Sequence, residues 1–453
     1  MCSTNYTGSQ CRLSFIAFRL IVLLLTTAIG HAQTATGNTY QLTLEEAIRF
    51  AKTQNKLVQV ARIEESAAKE DRKDVYSAAL PTITANGSYQ RFSQLTLFTD
   101  GLSHTTTGPR KPSANGAALG IDALFNIYSG GKQRALQSEQ QSRVKLAQLN
   151  VTDQAGGIAL QTAHQYLELV RLNDLQKLIL DQLNRAQTRL NNINSLYKNQ
   201  KVTKSDVLRA EVVLSNVQLS LEENENDCMI TNQKLDVLLN IPDSVQLLPV
   251  DTAGMPKPAL DALLPFIEAA GVTAYSVQKV TENVELQKAR LKGIESSNKP
   301  GVGFYTAYGL NYPNYLFFPP VDQAYSIGFV GLKAQYSISS LYHNKSKQAA
   351  AKLRVKELEV QQQAATDNVR TEAHAFYIKY AEALTRIQVN ERSVEQAQVN
   401  YKIVNTKYLN QLSLLTDLLD ADNLYQESRF NLIRAQTNAM NIYYNILYIS
   451  GNL

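Results

Sequence analysis

The chain has 453 residues, of which 44% are hydrophobic and 19% charged, with no Trp and a formal net charge of +5. That length holds two or three ordinary domains. Lys and Arg are interspersed with acids, so the charge argues against a nucleic-acid partner, which needs a concentrated basic face. Beyond the N-terminus no 18-residue apolar run occurs, which argues against a transmembrane helix there.

Residues 1–32 read as a secretory leader: Arg12 and Arg19, then the apolar run Leu20 to Leu25, then small residues at Gly30 and Ala32 before the expected cleavage point. Its removal takes two positive charges and leaves +3 of the +5. Cys2 and Cys11 go with it, so Cys228 stands alone and no intramolecular disulfide is expected. No Cys sits at the cleavage point, so no lipid anchor is expected.

A first structural repeat is expected over 33–240. It opens with a short helix from Leu42-Thr43-Leu44-Glu45-Glu46-Ala47 to Asn55, with Thr43 as cap and Glu46 at the third helical position. A longer helix follows to about Ala79. Strands are expected over 82–92 and 117–128. The second alternates, with Leu119, Ile121, Ala123, Phe125 and Ile127 on one face and Gly120, Asp122 and Asn126 on the other. Between them lies a polar, loop-like stretch, Ser93 to Asn115. From Lys132 to Ile241 there is no Pro and only the Gly156-Gly157 pair, so a long helix over 131–198 and a return helix over 205–240 are expected. Leu172, Ile179, Ala186 and Ile193 form one heptad row, and Leu183, Leu190 and Tyr197 the next, as in a coiled-coil seam. Asn199-Gln200-Lys201 breaks the pattern at a tip, where Ser205 or Asp206 can cap the returning helix.

Residues 241–273 read as an equatorial linker and 274–453 as a second repeat. The latter holds a helix to Ser296, strands over 301–309 and 325–338, a long helix over 341–408 and a return helix over 416–450. The loop Leu310 to Ala324 carries Tyr312, Tyr315, Phe317, Phe318 and Pro319-Pro320, which suits an interfacial girdle or a packed plug. The second tip, Asn410-Gln411-Leu412, matches the first at a spacing of 211 residues (Tyr197 to Tyr408), with Thr416 or Asp417 as cap. A unit built twice points to a repeat architecture and not to one catalytic cleft.

Taken singly, each strand suits a half-buried soluble hairpin as well as a membrane strand. Context decides: each pair feeds a long helix with nothing else to pack on. Four strands cannot close a membrane barrel, which needs about eight or more, and an open edge in lipid is prohibitive. The expected fold is therefore mixed α and β: a membrane β-barrel shared between subunits, four strands per chain, continued by a long coiled-coil helical barrel with two internal repeats.

Several motifs carry a family resemblance. They are Leu42 to Ala47, Leu80-Pro81 before the first strand, Phe125-Asn126-Ile127-Tyr128-Ser129-Gly130-Gly131-Lys132 at the strand-to-helix junction, and the two tips. Together they resemble the TolC-like outer-membrane efflux proteins, exit ducts of tripartite efflux and type I secretion systems. The resemblance implies a homotrimer of twelve strands and twelve helices in the outer membrane of a Gram-negative bacterium, with its helical part in the periplasm. It implies two protein partners, a periplasmic adaptor (membrane fusion) protein and an inner-membrane transporter. It also implies that Asp417 and Asp420 face the lumen as an aperture carboxylate ring; the alternative is that Asp417 caps the helix and Asp420 is solvated. In the first repeat Asp206 and Arg209 can compensate each other. Tyr408 with Asp206 is implied as a contact holding the tip hairpins, or Tyr408 is a core knob matching Tyr197. Adaptor docking falls on Asn199, Gln200, Lys201, Val202, Asn410, Gln411, Leu412, Leu414 and Leu415. Two departures stand out: the second junction reads Leu341-Tyr342-His343-Asn344 without glycine, and Ser413 occupies a place where relatives carry a basic latch.

No enzyme, cofactor or metal is expected. His31, His104, His164, His343 and His374 form no ligand-spaced cluster, and no phosphate loop, nucleophile elbow or CxxC occurs. A structural coiled-coil surface protein, such as an adhesin stalk, is the alternative; it would need neither alternating strands nor a twofold repeat.

Overall fold

The computed structural model describes residues 39–93, 113–243, 245–314, 316 and 321–453. The leader over 1–32, most of the loop 93–115 with His104, and Tyr315, Phe317 and Phe318 lie outside the described residues.

The chain begins with β1 (Thr39–Leu42), a strand the sequence reading does not anticipate, paired in parallel with β4 (Gln246–Pro249). Thr43 then caps α1 (Leu44–Gln54): its side chain accepts from the Glu46 N–H, and Glu46 accepts from the Thr43 N–H at 3.0 Å. The helix α2 (Lys56–Ser77) leads into β2 (Thr82–Arg91) and β3 (Asn115–Ser129). Gly130 and Gly131, at φ 65° and 92°, turn the chain from β3 into α3 (Lys132–Lys198). A Cβ on Gly130 would lie 2.6 Å from the Ser296 carbonyl, so only glycine fits there. At 67 residues α3 is roughly 100 Å long, and α4 (Lys204–Leu239) returns along it.

The second half follows the same plan after an equatorial crossing. A 3-10 turn (Leu260–Leu263) leads to α5 (Leu264–Thr273) and α6 (Tyr275–Ser296), then β5 (Gly301–Tyr312) and β6 (Tyr325–Gln335). The run Leu260–Ser296 contains one 18-residue stretch whose composition alone would suit a membrane span. It is not one helix, because Ala274 leaves helical geometry (φ −56°, ψ 134°) and separates α5 from α6. The long helix expected over 341–408 is also divided. A one-turn α7 (Ser340–His343) and Asn344 replace the glycine turn, and α8 (Lys345–Leu409) follows, returning as α9 (Leu415–Ile449).

β2, β3, β5 and β6 form one antiparallel sheet in that order. The register sorts the side chains. Ile83, Leu119, Ile121, Phe125, Leu310, Phe304, Val330 and Leu332 share one face, whereas Thr84, Asn86, Ser88, Asp122, Asn311 and Lys333 share the other. On the polar face Asp122 accepts hydrogen bonds from Thr84 and, at 2.6 Å, from Asn86. The apolar face is bare: Ile83, Val330 and Leu332 are 70%, 73% and 71% exposed. β2 and β6 are open edges.

Buried cores belt the helical hairpins at mid-height. Around α3 and α4 the core joins Leu42, Ala47, Tyr166, Leu167, Leu235 and Leu239. The Tyr166 hydroxyl lies 2.7 Å from the Leu42 carbonyl and 2.8 Å from Asp251 Oδ2. Around α8 and α9 the core joins Leu263, Ile267, Ala373, Tyr380, Ala439 and Ile446, and Tyr380 donates to the Pro258 carbonyl at 2.7 Å. The short equatorial elements thus seat both rods, leaving the sheet above and the tips below.

Candidate functional site

Both tips are built alike. Gln200 and Gln411 adopt left-handed geometry, at φ 57° and 61°. The next residue donates back into the helix: Lys201 N–H to the Leu196 carbonyl at 2.9 Å, Leu412 N–H to the Lys407 carbonyl at 2.8 Å. Asn199 and Asn410 each donate a side-chain amide to the carbonyl four residues earlier, both at 2.8 Å. These bonds satisfy carbonyls that a helix end leaves free.

The return helices start one residue earlier than expected, and the caps differ accordingly. Thr203, not Ser205 or Asp206, caps α4; Asp206 sits at the third helical position and accepts from Thr203 N–H at 2.9 Å and Thr203 Oγ1 at 2.7 Å. Asp417 holds the same place in α9, accepting from Leu414 N–H at 3.0 Å and Ser413 Oγ at 2.9 Å. Thr416 caps nothing, because the helix already includes it. Asp417 and Asp420 are both exposed, one turn apart on the same helix. Asp206 and Arg209 form no ion pair, since Asp206 is committed to the cap.

Tyr408 is half-buried against Ile193, Val207, Ala210, Leu415 and Leu419. Its hydroxyl is buried without a hydrogen-bond partner, and no bond joins it to Asp206 within the chain. Burial, with the Asp206 charge, pushes the phenol above its ordinary value. Leu415 is no docking anchor: it is buried in this cluster, and Val202 is half-buried against it. Of the expected docking residues, Asn199, Gln200, Lys201, Asn410, Gln411, Leu412 and Leu414 are exposed, and so is Leu409, which the sequence reading omits.

A polar clasp joins the two hairpins above the tips. Asp422 on α9 accepts from Arg189 Nη2 at 2.6 Å and Arg185 Nε at 3.3 Å, both on α3. Asp181 on α3 accepts from Arg429 Nη1 of α9 at 2.9 Å and from Arg185. Burial works against ionisation of Asp181, but hydrogen bonds from Arg429 and Arg185 hold its carboxyl below the ordinary range. Tyr401 of α8 stacks on Tyr425 of α9 at 5.8 Å, and Arg185 and Arg429 lie over those rings at 5.9 and 5.3 Å. Three guanidiniums meet two carboxylates, and Arg185 Nη2 has no partner. The sequence reading misses this clasp because Arg189 and Asp422 lie 233 residues apart. The one local signal is Arg185 and Arg189 at i and i+4, on either side of the seam residue Ala186.

Residues 47–240 match the family model described as outer membrane efflux protein. The TolC-like resemblance read from the motifs is therefore borne out. A search of curated proteins finds no match. Among solved structures, the outer membrane protein VceC of Vibrio cholerae is 15% identical, covering 90% of this chain and 96% of that one, with a TM-score of 0.75. The CmeC outer membrane channel of Campylobacter jejuni is also 15% identical, covering 90% and 85%, at 0.72. The MtrE outer membrane channel of Neisseria gonorrhoeae, in its open state, is 16% identical, covering 90% and 89%, at 0.69. At such identities the likeness is one of fold, and it extends over both repeats.

Proposed function

We propose that this chain is the outer-membrane exit duct of a tripartite efflux or type I secretion system, conducting substrates passively from a periplasmic adaptor and inner-membrane transporter to the exterior. One observation carries the reading: a four-stranded sheet with two open edges and a bare apolar face leads directly into two long helical hairpins. Open edges do not persist in lipid. Three copies of four strands and four long hairpin helices make twelve of each, enough to close a barrel and a tube. The apolar face then meets lipid and the face with Asp122, Asn86 and Lys333 lines the water-filled side. A coiled-coil surface stalk is not supported, because it leaves such a sheet without a role.

At the periplasmic end Asp417 and Asp420 of three copies form a carboxylate ring that favours cations. The capping bonds of Asp417 use one carboxylate oxygen and leave the charge in place. Leu409, Leu412 and Leu414 beside Gln411 form the apolar part of the adaptor-docking tip. Two measurements test the reading. Detergent extracts of outer membranes should contain a heat-labile trimer that conducts in planar bilayers; a monomer in detergent would refute it. Asp417→Ala with Asp420→Ala should raise conductance and abolish block by divalent cations, and unchanged single-channel behaviour would remove the ring.

A further inference from the structure

We propose that the exposed face of α4 bearing Leu208, Glu211 and Met229 packs on α8 of a second copy of this chain, with Glu211 opposite Gln396 and Asn400 of that copy. The register comes from the internal repeat. A step of 211 residues carries α3 onto α8 and α4 onto α9. Within one chain, α3 of the first hairpin meets α9 of the second through Arg185, Arg189 and Asp422. Repeating that step sets α8 of the second hairpin against α4 of the next chain's first hairpin.

Burial supports the step. On α9, Leu419 and Met440 are 7% and 6% exposed, whereas their counterparts on α4, Leu208 and Met229, are 50% and 59% exposed. Asp422 is buried and its counterpart Glu211 exposed; Arg189 is buried and its counterpart Asn400 exposed. The α4 face thus has the build of a face already covered elsewhere in the same chain. The chemistry differs at one level: guanidiniums meet Asp422 inside the chain, whereas the amides of Gln396 and Asn400 meet Glu211 between chains. The seam between copies therefore lacks the ionic clasp, and it is the looser joint of the tube wall near the aperture.

The inference rests on the multi-copy duct above, but its register does not follow from that reading. The full chain is extracted with Cys228→Ala, Glu211→Cys and Asn400→Cys, and its mass is measured before oxidation. Oxidation should then give covalent links between chains. The control pairs Glu211→Cys with Lys407→Cys, one heptad nearer the tip, and should give none. An oligomer that links only through the control, or through neither pair, overturns the register while leaving the duct intact. A monomer before oxidation overturns both. Gln396→Arg rebuilds the missing clasp and should raise the temperature at which the oligomer dissociates, whereas Gln396→Glu should lower it. Equal shifts from the two variants, or none, would also overturn the pairing.

Discussion

Asp422→Asn is the most informative single change in this protein. The carboxylate is 3% exposed and receives Arg189, itself 8% exposed, and Arg185. Losing one member of a buried pair costs about 3–5 kcal/mol, because the remaining charge stays desolvated. Here Arg185 keeps Asp181, which is half exposed, so the lower end applies: about 3 kcal/mol. That corresponds to roughly a hundredfold in the equilibrium between joined and parted hairpins. In planar bilayers the variant should spend more time in higher-conductance states, and a Cys pair across α3 and α9 should cross-link more slowly. Because the cost lies in the stranded cation, Asp422→Leu with Arg189→Met should restore most of the stability. The reasoning fails if Asp422→Asn costs under about 1 kcal/mol, as an exposed pair would, or if the double variant is worse than the single.

Three further outcomes follow from the geometry. Asp236 is fully buried with Oδ1 unpartnered, and burial with the nearby Asp243 charge pushes its carboxyl up to about 6. Folding therefore favours its protonated form, and stability is lost as pH rises from the ordinary carboxyl range through about 6. Asp236→Asn should stabilise the protein at pH 7.5, by at most about 3 kcal/mol, and have little effect near pH 4, read by thermal unfolding at both pH values. Gln200→Gly and Gln411→Gly relieve left-handed glutamines and should each stabilise the tips by about 1 kcal/mol, seen as slower proteolysis at the tips. Gly130→Ala adds a carbon 2.6 Å from a carbonyl at a left-handed position. It should cost more than about 2 kcal/mol and lower the yield of assembled oligomer in the membrane.

How much of this was legible in the sequence depended on the range of the interaction. The heptad row Leu172, Ile179, Ala186 and Ile193 is buried as a seam because helical periodicity is a local property of the chain. The alternation in β3 sorts one face from the other for the same reason. The two tips are recognisable because each reverses through its own backbone bonds, and the repeat prints that solution twice. The cap positions fall two or three residues before the expected ones, since Thr203 and Ser205 are equally good acceptors on paper and only the entering backbone chooses. Leu415 reads as an exposed tip leucine until Ile193 and Val207, from a distant helix, close over it.

The amino-acid order alone determined the helices, the alternating strands and the twofold plan, all through contacts between near neighbours. Tertiary structure alone decided which polar groups are withdrawn from water. Arg185, Arg189 and Asp422 look like ordinary surface charges along their own helices. They become a buried clasp only when two coiled coils are laid side by side, because desolvation depends on what is packed across the gap and not on what is adjacent in the chain.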